Sequence, residues 1–146
     1  MITLKQIDKN STEFDEVYNI RLTVFTGEQN VPINMLVDDA DENAVQIAAY
    51  ENESIVGCGR IVINENIGII GRVAVLADKR KFGIGKLICE KLINIAVADY
   101  NVSEITLQSQ CTARKFYEKL GFTADGGTFV KAGIEHIEMK KEVTAM

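Results

Sequence analysis

Proline and histidine each occur once among the 146 residues, as Pro32 and His136, and cysteine only three times. Without a proline-rich linker, and at a length that suits one core, the chain is expected to form a single domain over residues 1–146. Cys58, Cys89 and Cys111 are odd in number and widely spaced, which excludes a disulfide framework and a paired zinc clasp. They read as buried thiols of a reducing compartment, and no metal site is expected. Long apolar runs are also missing: Ile61–Ile63 and Ile67–Val75 are broken by polar residues well before the roughly 20 residues of a bilayer span. The opening "MITLKQIDKNSTEF" lacks the apolar core of a secretory signal, so a cytoplasmic location is expected. Sixteen basic residues against twenty-one acidic ones give a formal charge of −5, which opposes nucleic acid or an anionic membrane as a partner.

What is present reads as an ordinary globular protein, 47% apolar and 25% charged. A first strand near Ile2 to Ile7 precedes Thr12, which with Asp15 starts a helix in the manner of a capping box. Apolar spacing carries that helix to about Phe25. The run "GEQNVPINMLVDDADE", Gly27 to Glu42, reads as a loop with one helical turn and forms a candidate substrate rim. "AVQIAAYE", "IVGCGRIVI" and "IGIIGRVAVL" are three antiparallel strands joined by tight turns. Ile84, Leu87, Ile88, Leu92, Ile95 and Ala96 then line one face of a helix ending near Tyr100. "EITLQSQ" is a strand, "TARKFYEKL" a short helix closed by Gly121, and "GIEHIEMKK" a terminal strand. The order β-α-β-β-β-α-β-α-β implies a mixed α/β (α+β) fold with antiparallel hairpins and one parallel crossover from Ile69 to Gln108.

At the strand-to-helix junction stands "RKFGIG", Arg80 to Gly85. A helix start offers free N–H groups and the positive end of the dipole. Gly83 and Gly85 remove side chains that would hold a phosphate away, and Arg80, Lys81 and Lys86 add positive charge. The alternative is a tight turn and nothing more. A Walker loop is excluded, because Arg80 stands where its first glycine belongs and Leu87 follows Gly85-Lys86. A dinucleotide fingerprint finds Ile88 at its third glycine and hairpins in place of a doubly wound sheet.

"RKFGIG" resembles the R-x-x-G-x-G/A loop of the GNAT N-acetyltransferase superfamily, "GRVAVLAD" looks like that family's central strand, and "ARKFYEKLGF" is similar to its A-x-x-F-Y-E-K-L-G-F segment. "RLTVFTGEQNVP" and "GIEHIEMKK" resemble the ends of a small bacterial branch that includes glyphosate-acetylating enzymes. The resemblance implies a mostly antiparallel sheet splayed at the crossover and acetyl-CoA as co-substrate. Arg80, Lys81, Phe82, Gly83, Ile84, Gly85 and Lys86 would then cradle its pyrophosphate. Val73, Ala74 and Val75 would meet its pantetheine arm and thioester through their main chain.

The implied reaction is direct acetyl transfer to an amine of a small molecule or a protein, which needs a base and an acid. Tyr117 matches the family's proton-donating tyrosine. His136 falls in the segment that carries the branch's catalytic histidine, and alternation puts it with Glu138 on the face opposite Ile137 and Met139. Glu28, in the rim, is a water-mediated substitute for the base. Arg21 and Arg72 match positions that hold an anionic substrate, and a third arginine of that set falls on Gln110. Asp38, Asp39, Asp41 and Glu42 suggest instead a cationic amine or a solvated loop. Cys111, past the splayed strand, reads as a buried thiol and not as a covalent acetyl carrier. A homodimer is the oligomer expected. A non-catalytic coenzyme A sensor would keep the loop without a working acid and base, and a dinucleotide-binding module would bind a nicotinamide cofactor.

Overall fold

The β-branched and aliphatic runs make seven strands in the computed structural model, which describes residues 1–144. They are β1 (Ile2–Ile7), β2 (Val45–Glu51), β3 (Ser54–Asn64), β4 (Ile67–Val75), β5 (Glu104–Gln110), β6 (Thr123–Lys131) and β7 (Ile134–Glu142). They form one sheet in the order β1-β2-β3-β4-β5-β7-β6. Every neighbouring pair is antiparallel except β4 and β5, which run parallel and are joined through helix α2 (Ile84–Tyr100). This is the mixed α/β architecture expected from the order of elements. Among the described residues no helix is long and apolar enough to cross a membrane.

Both faces of the central strands are apolar because helices cover both. On one side Ile47, Ala49, Val56 and Ile61 pack with Ile84, Ile88 and Leu92 of α2. On the other, Ala48, Ile55, Cys58 and Ala74 meet Phe14, Val17 and Ile20 of α1 (Thr12–Arg21). Each fully buried Ile or Leu contributes about 1.5–3 kcal/mol. Close approach of α2 requires Gly59 on β3, where a Cβ would stand 2.8 Å from Ile88 Cγ2 and 3.2 Å from Leu92 Cδ1.

Four local differences from the sequence reading have physical reasons. The cap of α1 is Ser11 instead of Thr12, and its hydroxyl turns back to the carbonyl of Asp8. The α-helix ends at Arg21, and a π-helical turn over Leu22–Glu28 follows, which keeps Val24 in the core while turning Phe25 toward the cavity described below. The buried stripe of α2 includes Cys89 and Ile93 and leaves Leu87 exposed, because the sheet twists under the helix. Strand β6 has no counterpart among the strands read from the sequence. It is largely exposed and carries Gly126-Gly127, its pairing with β7 shifts between Ala124 and Thr128, and so it shows no apolar alternation.

The rim between the π-helical turn and β2 contains two 3-10 turns, Ile33–Met35 and Asp39–Glu42. A buried ion pair anchors it. Arg21, 0% exposed, donates Nη2 to Asp41 Oδ1 at 2.9 Å and Nη1 to Asp41 Oδ2 at 3.1 Å. It also donates to the Leu36 carbonyl at 2.8 Å and to Gln46 Oε1 at 3.2 Å. Burial alone would raise the Asp41 pKa, but hydrogen bonds and charge from Arg21, with help from Gln46 and the Asp38 amide, hold it well below the usual carboxylate range. Asp41→Asn strands the Arg21 charge and should cost about 3–5 kcal/mol at pH 7, read by urea unfolding. Because the folded pKa is depressed, the contribution is full above about pH 4 and declines on further acidification, so the gap between wild type and variant should narrow there. A constant gap down to the acid-unfolding limit would contradict this account.

Candidate functional site

The site begins with an irregularity in β4. Cys58 faces Ala74 and Arg60 faces Gly71, so two steps along β3 oppose three along β4. Arg72 is the extra residue, with φ at 55° in the left-handed region. Its guanidinium offsets the strain by donating Nε to Leu36 O at 3.3 Å and Nη2 to Met35 O at 3.1 Å and Asp38 Oδ2 at 3.2 Å. Beyond the bulge β4 leaves β5: the last parallel pair is Ile70 with Leu107, and Gly71 to Val75 have no partner on that side. A cavity of about 430 Å³ fills the widening gap.

His136 and Tyr117 both line it. His136 is 8% exposed, lies between Gln110 and Phe129 in the sheet, and stacks on the Phe129 ring with centroids 5.8 Å apart. Its Nδ1 is 2.7 Å from the Ile134 carbonyl, which can only accept, so Nδ1 carries the proton. Nε2 is thereby the unprotonated nitrogen of the neutral ring, and it has no hydrogen bond among the described residues. Tyr117 projects from helix α3 (Arg114–Lys119), whose end is closed by the left-handed Gly121. The edges of Phe116 and Phe122 box its ring. Burial, and secondarily Cys89, pushes its phenol pKa well above the ordinary value, so it stays protonated at neutral pH.

At the start of α2 the chain turns through two left-handed residues, Lys81 at φ 73° and Gly83 at φ 79°. Among the described residues the amides of Lys81 to Lys86 donate to no carbonyl or side chain, and the first helical bond runs from Leu87 N–H to Gly83 O at 3.1 Å. Nothing lies within 4 Å of a Cβ built on Gly83, while one on Gly85 would meet the Phe116 ring at 3.3 Å. Open amides, a helix dipole and the flanking Lys81 and Lys86 fit a diphosphate. Arg80 braces the loop instead of facing the anion. Its Nε donates to Val75 O at 2.9 Å and its Nη2 pairs with Glu28 at 2.8 Å, which ties the loop to the rim.

The remaining expected residues divide. Arg72 and Gln110 line the cavity, and Gln110 Nε2 donates to Gln29 Oε1 at 2.6 Å. Arg21 is fully buried in its ion pair and Glu28 is engaged by Arg80; neither lines the cavity. Val73 lines it, whereas the Ala74 and Val75 side chains pack inward. Cys111 lies outside the lining, and burial together with Glu135 raises its thiol pKa, which opposes nucleophilic use. Burial likewise pushes the Cys58 thiol up to about 11 and the Cys89 thiol up to about 12. Sequence reasoning missed Arg60 and Lys131, both in the lining. Arg60 sits in an apolar strand pattern where a charge alone signals a buried partner, and Lys131 ends the strand that the sequence concealed.

Comparison with known proteins agrees with this geometry. Residues 16–143 match the family model described as an acetyltransferase (GNAT) domain. The uncharacterized N-acetyltransferase YjcF of Bacillus subtilis strain 168 is 34% identical over 137 residues, covering 93% of this chain and 97% of that protein. The crystal structure of Escherichia coli ElaA superposes with a TM-score of 0.86 at 24% identity, over 97% of this chain and 100% of that one. A GNAT family acetyltransferase from Elizabethkingia anophelis, solved with acetyl-CoA bound, superposes at 0.74 with 17% identity, over 97% of this chain and 98% of that one.

The free amides make a direct test. Gly83→Val places a β-branched chain at a left-handed position over them and should weaken binding of inorganic pyrophosphate about tenfold by calorimetry. Unchanged affinity would locate the anion elsewhere.

Proposed function

The chain belongs to the GNAT family of acetyltransferases, and from its cavity we propose that it moves the acetyl group of acetyl-CoA directly to the amine of a small molecule, with His136 as base and Tyr117 as acid. One observation carries the proposal: a histidine with a free Nε2 and a protonated tyrosine share a cavity that opens between splayed strands beside six free amides. Acetyl-CoA, when bound, supplies an acyl carbon open to attack by an amine.

Each step assigned to the protein follows from its own atoms. The amides of residues 81–86 grip the diphosphate, and the Arg80–Glu28 pair braces their loop against the rim. The unpaired edge of β4 from Gly71 to Val75 offers backbone groups to the arm, although the Val75 carbonyl is already used by Arg80. A main-chain N–H near Val73 or Ala74 polarises the reacting carbonyl. His136 Nε2 takes the amine proton, and the bond from Nδ1 to Ile134 O keeps the ring in the productive tautomer. Tyr117 gives its proton to the departing sulfur, and its raised pKa favours having that proton available. On this reading the enzyme works in the cytoplasm, with its cysteines reduced.

Tyr117→Phe should lower kcat by about 10² with little change in acetyl-CoA affinity, and His136→Ala should remove the acidic limb of the kcat/KM–pH profile. The wild type is to be screened with acetyl-CoA against an amine panel. Failure to acetylate any amine, or variants with unaltered turnover and pH dependence, would overturn the assignment.

A further inference from the structure

The charges that line the cavity are unevenly spread. Its permanent cations are Arg60, Arg72 and Lys131, and its one carboxylate is Glu138. Arg60 is committed to the rim, with both terminal nitrogens on Asp38 at 2.6 and 3.1 Å and a further contact to Asp41 at 3.0 Å. Arg72 is not fully used. Its Nε and Nη2 have acceptors, and Nη1 has no hydrogen bond among the described residues. Lys131, at the mouth, reaches across β7 to Gln108 Oε1 at 2.9 Å, a neutral acceptor, and forms no ion pair among the described residues. Partial burial first, then the nearby Arg72 and Arg60, lower its pKa, so these cations stand close enough to repel. Glu138 pairs with neither and shares the cavity-facing side of β7 with His136.

Two spare cationic donors therefore stand on one side of the cavity, and a carboxylate stands beside the proposed base. On the acetyl-transfer reading above, we propose that the acceptor is an amino carboxylic acid, with its carboxylate held between Arg72 Nη1 and Lys131 Nζ and its amino group turned toward His136 and Glu138. Two donor groups match the two oxygens of a carboxylate. Binding there removes the repulsion between the cations, and Glu138 receives the ammonium before His136 takes its proton. An uncharged amine would leave Arg72 and Lys131 facing each other without a counterion, which is the basis for discrimination.

The test separates this inference from the reaction itself. N-acetylated amino acids and their C-terminal carboxamides, which mimic product with and without the charge, are titrated by calorimetry into the protein with coenzyme A present. At least one acid should bind tenfold or more tighter than its own amide. That ratio should collapse in Lys131→Met, a change at an exposed strand end, and return in Lys131→Arg. If no acid outbinds its amide, or if Lys131→Met keeps the ratio, the inference is wrong even where amines are acetylated. If the ratio holds but no amine is acetylated with acetyl-CoA, the site recognises the carboxylate and the catalytic assignment fails alone.

Discussion

The site depends on one strained residue. Arg72 stands in the left-handed region inside a strand, at a cost of about 1–2 kcal/mol, and the bulge it creates turns β4 away from β5. Three hydrogen bonds from its charged guanidinium outweigh that cost, since bonds to a charged group contribute about 1.5–3 kcal/mol each. The acceptors are Met35, Leu36 and Asp38 of the rim, so the contacts that stabilise the bulge also fix the wall opposite the gap. A regular strand at this position would pair with β5 to its end and leave no cavity.

The rim is held in turn by alternating charges. Asp41 takes Arg21 and Arg60, and Asp38 takes Arg60 and Arg72, which links α1, the rim, β3 and β4 in one chain of ion pairs. Two carboxylates against three guanidiniums leave a positive excess at the cavity, although the molecule as a whole carries −5. A second positive locus lies at the start of α2, where free amides and the helix dipole meet Lys81 and Lys86. Overall acidity repels polyanions, while the two local excesses suit small anionic groups at defined places.

Much of the fold is legible in the sequence, because strand and helix periods in this chain are clean and Gly83, Gly85 and Gly121 mark their junctions. The loop motif locates the anion cradle, and alternation places His136 opposite Ile137 and Met139. The fate of a side chain whose partner is distant in sequence is not legible. Pattern alone points Arg21 at the acceptor, and it makes the acidic run of the rim either solvated or bait for a cationic amine. Both expectations give way together, since Asp41 is the counterion of Arg21 and Asp38 that of Arg72. Two hints that pull in opposite directions along the chain cancel in space. Lys131 escapes notice for a different reason: it belongs to β6, which lacks the alternation that would announce a strand.

The place of His136 illustrates how stability and chemistry share one determinant. A register slip of one residue on β7 would send His136 into the core and turn Ile137 toward the cavity. Met139, which is 0% exposed, and Ile137 oppose that slip with the burial of two large apolar side chains, about 3–6 kcal/mol together. The pairs Gln110–His136 and Phe129–His136 then fix the ring beside the end of β5, where Gln110 is tied to Gln29 of the rim. The proposed base is therefore positioned by core packing on β7, on the far side of β5 from the bulge that opens the cavity in front of it. Substitutions at Ile137 or Met139 that loosen this register should disturb the histidine without touching any group that lines the site.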